Sequence, residues 1–319
     1  MKKIFICLLL STTLWSCKKA NEGYPTLKPT LEPKFEVTLN VSDFSTEVTN
    51  ILKLKANTLL NAPLIGSTSY LAYIVYDKDG VEVSRIKQDS SGTTTRIIRE
   101  EGENEVPLGQ KIYGCIKDSL VAGNYTVVMA ASNTLFEINN RSTGLGFEFY
   151  GLNDAYLQYV RGLDSYYRTS DTYYKKFTLT VSKKDVQKPI VLDRIVGKLE
   201  INILDAKAGE KFQFHFENEN DSFKFLNEKP FGELSENIFQ GYRDALTSYL
   251  ILNTETPINV LISYDENGIA KEKLITGVMV YKNKRTILKG KVHSSPKSTS
   301  GFDVSVNSQF DAEPIEVSF

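Results

Sequence analysis

Three cysteines, two histidines, three methionines and one tryptophan are all that the 319 residues contain of these types. Each scarcity removes a class of protein. His215 and His293 lie far apart in the sequence, and no H-E-x-x-H, paired C-x-x-C, G-x-S-x-G or G-x-x-x-x-G-K-[ST] occurs. The usual signatures of zinc hydrolases, thiol–metal sites, serine hydrolases and phosphate-binding loops are therefore missing. With 38 basic and 39 acidic residues the formal net charge is −1, so no overall field gathers phosphates, and no basic stripe stands out. Nucleic-acid binding is set aside. Beyond the amino terminus there is no run of about 18 uncharged apolar residues, so no later segment spans a bilayer as a helix.

What is present is an ordinary globular composition, 41% hydrophobic and 24% charged, with 17 Tyr and 17 Phe. A compact chain of this size buries about 70–75% of its unfolded surface, and disordered or collagen-like states are excluded. The length suggests two domains, with one large β domain as the alternative.

Met1-Lys2-Lys3 followed by the apolar run from Ile4 to Leu10 reads as an export signal, since the run falls short of the roughly 20 residues that cross a bilayer. It closes with Leu14-Trp15-Ser16-Cys17, which resembles the lipobox of bacterial lipoproteins. Cys17 is thus the candidate lipidation residue, and residues 1–16 the signal peptide. Removing the signal discards Cys7, lipidation consumes Cys17, and Cys115 is left without a partner. No intramolecular disulfide forms, so the core must hold the exported chain together. Cys115, within Tyr113-Gly114-Cys115-Ile116, is expected to be buried and inert. The two or three acyl chains of a lipoprotein anchor hold stably where one would not. Residues 17–34, with Pro25, Pro29 and Pro33, read as an extended tether of about 3 Å per residue.

From Phe35 onward the pattern is β. Phe35, Val37, Leu39 and Val41 alternate with polar residues, the period of a half-buried strand. The strongly β-prone segment from Tyr70 to Tyr76 turns through Asp77-Lys78-Asp79-Gly80 into a second strand, predicting a hairpin. Similar alternation runs through Phe177, Leu179 and Val181, through Leu199, Ile201 and Ile203, and through Phe212, Phe214 and Phe216. A strand from Ile258 to Tyr264 turns at Asn267-Gly268 and returns from Leu274 to Tyr281. Helical spacing is found only in Val48, Ile51, Leu52, Leu59 and Leu60, and in Ile238, Phe239, Tyr242, Leu246 and Tyr249. The segments opening at Lys34 and at Lys198 share one pattern, and Pro189 interrupts the strands between them. The expectation is two tandem antiparallel β-sandwiches, residues 35–193 and 194–319.

The lipobox, Val37-Thr38-Leu39-Asn40-Val41-Ser42-Asp43-Phe44, Ile74-Val75-Tyr76-Asp77-Lys78-Asp79-Gly80, the segment from Leu120 to Val128 with Gly123-Asn124-Tyr125 at its centre, and Leu192-Asp193-Arg194-Ile195-Val196-Gly197-Lys198-Leu199 resemble the anchor-subunit family of type V fimbriae. The similarity covers roughly residues 14 to 205. It implies two transthyretin-like β-sandwiches, no cofactor, an outer-membrane and cell-surface location, and a lipid-held subunit that seats or terminates a polymer of fimbrial subunits. It also implies contact with those pilin-like partners through a sheet edge, which offers unpaired N–H and C=O groups. Residues 310–319, with Phe310, Ile315, Val317 and Phe319, are a candidate donor or self-complementing strand, or a last strand completing its own sheet.

No motif requires catalysis. Ser84-Arg85-Ile86-Lys87 matches S-x-x-K, but on a strand Ser84 and Lys87 point to opposite faces. Asp77-Lys78-Asp79-Gly80 lacks the later ligands of a calcium loop and reads as a turn. Glu100, Glu101, Glu103 and Glu105 read as a solvated loop. His215 falls between Phe214 and Phe216 and is expected on the exposed face. Residues 147–174 hold many aromatics, including Tyr166 and Tyr167, and could form a glycan or partner platform or pack onto the sandwich. A lipid-anchored carbohydrate-binding protein is the alternative function.

Overall fold

The structure is a computed structural model that describes residues 32–43, 68–98, 104–139, 141–144, 147–159, 169–232, 238–293 and 302–307. Lys34–Phe319 cluster as one compact unit. In β1 (Lys34–Asp43) Val37, Leu39 and Val41 are buried and the intervening residues are not, as expected when one face meets a core. In β2 (Tyr70–Tyr76) every residue after the first is buried. Both of its faces are covered, and such a strand reads as a continuous apolar run. The predicted hairpin joins β2 to β3 (Glu82–Asp89). At its tip the Asp77 carboxylate accepts hydrogen bonds from the amides of Asp79 and Val81, both at 2.9 Å, and Gly80 takes a φ of 79° that costs glycine no steric strain.

The chain continues through β4 (Thr94–Ile98), β5 (Asn104–Pro107), β6 (Cys115–Val121), β7 (Gly123–Ser132), β8 (Phe136–Asn139), β9 (Arg141–Gly144), β10 (Phe147–Tyr150) and β11 (Tyr156–Tyr159). The long strands β12 (Thr172–Val181) and β13 (Val186–Arg194) end the first part. The second part holds β14 (Gly197–Ile203), β15 (Phe212–Glu217), β16 (Ser222–Lys224), β17 (Lys229–Phe231), β18 (Ile238–Arg243) and β19 (Leu246–Ile251). It ends with β20 (Ile258–Glu266), β21 (Ile269–Val278), β22 (Arg285–Gly290) and β23 (Phe302–Asn307). No helix occurs among the described residues.

Nine strands form one sheet in the order β5-β4-β3-β2-β7-β12-β13-β1-β6. β12 and β13 pair only at Tyr173 with Arg194 and Tyr174 with Asp193. The sheet folds over at that point, and Leu39, Tyr73, Val127, Leu179, Ile190 and Leu192 fill the space between its two layers. The other face of β2 and β7 is covered by the sheet β17-β16-β11-β8, where Ile74 and Val128 join Leu157, Phe223 and Phe225 in a second cluster. This covering layer takes two strands from each part of the chain. A third core, with Leu199, Ile201, Phe212, Phe214, Val260 and Leu288, lies between the sheets β19-β14-β22-β23 and β18-β15-β20-β21. Each buried Leu, Ile or Phe contributes about 1.5–3 kcal/mol, so alternation along β14 and β15 is what seats these strands.

The two segments of matching sequence have matching neighbours. β1 lies between β13, parallel, and β6, antiparallel; β14 lies between β22, parallel, and β19, antiparallel. The sheets are thus mixed where antiparallel ones were expected. Each opening strand meets a partner remote in sequence, so no hairpin dictates its direction. Gly197 begins β14 where a Cβ would stand 2.5 Å from the carbonyl oxygen of Tyr281, an approach only glycine permits.

Two expectations are corrected. Ile238, Phe239, Tyr242, Leu246 and Tyr249 belong to β18 and β19, not to a helix. Tyr242 and Leu246 are 68% and 61% exposed, and the strands pair with β15 and β14. Pro189 does not interrupt the strands but lies inside β13, on the side facing away from β1. Val48, Ile51, Leu52, Leu59 and Leu60 lie outside the described residues.

Candidate functional site

Strand edges are the candidate contact surfaces, and they are not equivalent. In β6 the residues 115, 117, 119 and 121 turn their backbone groups away from β1, because Val41 donates to the Gly114 carbonyl and the ladder alternates from there. Side chains fill most of that outward row. The Gln110 amide donates to the Lys117 carbonyl at 2.7 Å and accepts from the Lys117 amide at 3.0 Å, replacing a strand neighbour. Gln88 donates to the Cys115 carbonyl, Asp118 accepts from the Ser119 amide, and the Tyr125 hydroxyl donates to the Val121 carbonyl. Arg96 on β4 holds Asp118 at 2.6 Å. This side of the sandwich is closed by its own side chains, a device that blocks added strands.

The opposite side differs. Among the described residues, beyond Tyr174 and Asp193, β12 pairs with β7 and β13 with β1, and no strand joins them. Because the Ile195 amide donates to the Thr172 carbonyl, the alternation points the backbone groups of Lys176, Thr178 and Thr180 outward from β12, and those of Gln187, Pro189 and Val191 outward from β13. Pro189 fits there because proline has no N–H to leave unpaired, and its ring keeps a neighbour off that edge. Across the gap Lys175 contacts Asp193 at 2.6 Å, and the Lys188 ammonium lies 4.9 Å from the centre of the half-buried Phe177 ring.

Every residue singled out for lipidation or partner contact, Cys17, Tyr166, Tyr167, Phe310, Ile315, Val317 and Phe319, lies outside the described residues. Within the Tyr-rich segment, Tyr159, Tyr173 and Tyr174 are buried and Tyr156 packs edge-on against Phe231 at 5.1 Å. These rings serve packing: Tyr174 stacks on Phe225. Ser84 and Lys87 sit on opposite faces of β3, as strand geometry requires; Ser84 is buried and Lys87 pairs with Glu105. His215 is 8% exposed, not solvated as expected. β15 is an inner strand, with Phe239 and Leu261 as the register partners of His215. Cys115 is half-buried and beside a pocket of about 270 Å3 lined by Leu108, Gln110, Ile112 and Lys117.

Three charged groups are held by buried contacts. Arg194 grips both oxygens of Asp171 at 2.7 and 2.9 Å, stacks on Tyr173, and donates to Asn283 in the turn before β22. Glu219 accepts from the amides of Leu252 and Asn253; burial raises its pKa to about 7, against these hydrogen bonds. His293 lies between Glu266 at 3.2 Å and Glu210 at 3.0 Å. Burial opposes its charged form, but the hydrogen bonds to Glu210 and Glu266 outweigh this and raise its pKa. Among the described residues no group of three or more His, Cys, Asp or Glu forms a metal site.

Among the described residues the geometry defines an all-β protein of stacked, mixed sheets in which the outer edge of β6 is capped by side chains and no strand lies between the far ends of β12 and β13. No family model and no curated protein matches the chain. Its fold is shared with solved structures. A candidate polysaccharide-binding protein of Bacteroides thetaiotaomicron superposes with a TM-score of 0.53 at 10% identity, over 86% of this chain and 96% of that one. The fimbrial anchor protein Mfa2 of Porphyromonas gingivalis gives 0.50 at 11% identity, over 86% and 98%. The tip fimbrial protein Mfa3 of the same organism gives 0.44 at 12%, over 86% and 99%. The resemblance seen in the sequence is matched at the level of fold.

Proposed function

We propose that the protein is an outer-membrane lipoprotein, displayed at the cell surface, that holds or terminates a fimbrial polymer through β-strand edge contacts, without enzymatic activity or cofactor. The fold shared with a fimbrial anchor, over nearly the whole of both chains, carries this reading. The lipobox-like Leu14-Trp15-Ser16-Cys17 supports it independently. On this reading residues 1–16 are the signal peptide, Cys17 holds the lipid and residues 17–34 set the reach. Residues 35–193 and 194–319 form two transthyretin-like sandwiches, a division favoured by the matching neighbours of β1 and β14. Phe310, Ile315, Val317 and Phe319, with Tyr166 and Tyr167, are the proposed contacts to a pilin-like partner.

Crosslinking in intact cells, followed by identification of captured proteins, tests this. Wild type is compared with Cys17→Ala and with a chain lacking residues 310–319. Capture of a pilin-like protein, with loss of membrane attachment in Cys17→Ala, is expected. Capture of no polymeric partner by the wild type would refute the anchor reading.

A second reading is favoured by the likeness to the candidate polysaccharide-binding protein: a lipid-anchored surface protein that binds glycans through residues 147–174. Glycan-array binding that disappears in Tyr166→Ala/Tyr167→Ala would support it, and an unresponsive array would count against it.

A further inference from the structure

We infer that β1 and β13 form a clamp that carries tension: a pull entering the fold at Lys34 loads their whole ladder at once. The two strands run parallel, with seven register pairs from Val37–Val186 to Asp43–Leu192. Lys34 begins β1, so a pull on it drags β1 backward along its own axis. β13 leaves its sheet at the other end, where Arg194 is followed by Ile195 and Val196 and then by β14. Tension passing along the backbone into the second part of the chain therefore draws β13 forward. Parallel strands drawn from opposite ends slide against each other, and the rungs must yield together. Drawn from the same end they open rung by rung, because the hydrogen bonds lie across the strands and the nearest one takes the whole force.

Three features strengthen this arrangement. First, β1 is gripped on both edges. The Glu36 amide donates to the Asp185 carboxylate at 2.9 Å and the Val41 amide to the Gly114 carbonyl at 2.7 Å, so even-numbered residues bond toward β13 and odd-numbered ones toward β6. A slide of β1 must also break its seven pairs with β6, from Lys34–Val121 to Asn40–Cys115. Pro189, the one β13 residue without an N–H, points its backbone away from β1 and removes no rung. Second, Val37, Leu39 and Val41 are buried, so axial movement drags three side chains through a close-packed core. Third, the far end of β13 is fastened. Arg194 holds Asp171 at 2.7 and 2.9 Å and Asn283 at 3.2 Å, and Ile195 and Val196 are buried, so the link into β14 has no slack.

The resistance is a property of the fold alone. Its use in holding a polymer rests on the anchor reading above, in which tension from the lipid at Cys17 reaches the body through Lys34.

Single-molecule force spectroscopy tests the clamp with no lipid or partner present. The full chain carries Cys7→Ser, Cys17→Ser and Cys115→Ser, so that only engineered thiols take the handles. Handles at Lys34→Cys and Asp193→Cys pull along the strands, since Asp193 lies one position past the Asp43–Leu192 pair, about 30 Å along β1 from Lys34. Handles at Lys34→Cys and Lys184→Cys pull across the same two strands at their shared end. Lys34 and Lys184 are exposed and Asp193 is half-exposed. Both pulls unravel nearly the same stretch of chain, so only direction differs. At one pulling speed the axial pull is expected to need at least about twice the force of the transverse pull, because many rungs share the load in place of one. A second axial pair, Lys34→Cys with Val191→Cys, should match the first, and thermal unfolding of each variant controls for folding. Equal forces, or a weaker axial pull, would overturn the clamp and leave the anchor reading standing; absence of a polymeric partner in cells would do the reverse.

Discussion

Replacing Glu219 with Gln tests the link between burial and charge in the second part of the chain. Glu219 is 1% exposed. Its carboxylate accepts from the amides of Leu252 at 2.6 Å and Asn253 at 3.1 Å and from the Thr169 hydroxyl at 3.2 Å. Burial still dominates and lifts the pKa from 4.5 to about 7. Between those values the folded chain holds a proton that the unfolded chain has released, so stability falls as pH rises. The contribution is fully present below about pH 4.5 and gone above about pH 7; over that span it amounts to at most about 3 kcal/mol at 1.36 kcal/mol per unit. Glu219→Gln keeps the size and one acceptor but cannot titrate. Urea unfolding of both proteins at pH 5 and pH 8 gives the double difference, in which other titrating groups cancel. The wild type is expected to lose about 2–3 kcal/mol more than the variant between the two pH values. Parallel pH profiles would refute the argument.

Gln110→Ala uncaps Lys117 and is expected to cost about 1 kcal/mol, because water can replace part of these exposed bonds; thermal unfolding measures the cost, and hydrogen exchange at Lys117 should rise. Arg194→Ala leaves Asp171 without its cation and is expected to cost about 3–5 kcal/mol, with Arg194→Lys failing to restore the bidentate grip; urea unfolding of both variants checks this. Gly197→Ala drives a methyl against the Tyr281 carbonyl and should cost about 1–3 kcal/mol in the same assay. For His293, an NMR titration should place the pKa above the usual 6.5. The stability from its bonds to Glu210 and Glu266 is full below pH 6.5 and is lost as pH rises through the folded value; a value at or below 6.5 would refute this.

Much of the fold was legible. Val37, Leu39 and Val41, the turn at Asp77-Lys78-Asp79-Gly80, and the Phe212, Phe214 and Phe216 row all follow from local alternation and turn chemistry, and all are formed. The segment from Ile238 to Tyr249 misled because five apolar residues at mixed spacing fit a helix as well as two short strands. Only pairing with β15 and β14 decides between them. His215 misled for a different reason: alternation tells which side of a strand lies opposite the core row but not what covers that side, and His215 is 8% exposed. Pro189 was legible as a disturbance but not as an edge residue. The cap on β6 left no signal at all, since nothing local sets Gln110 apart from any other loop glutamine.

By itself the sequence determined that this is a β protein, where most strands lie and which side of each faces a core, because alternation is a property of the local backbone. It also supplied the resemblance that fold similarity matches. Which strand lies beside which was decided only in three dimensions. Strand pairing joins residues as distant in sequence as Val37 and Val186, and whether an edge is capped as β6 is depends on such remote neighbours.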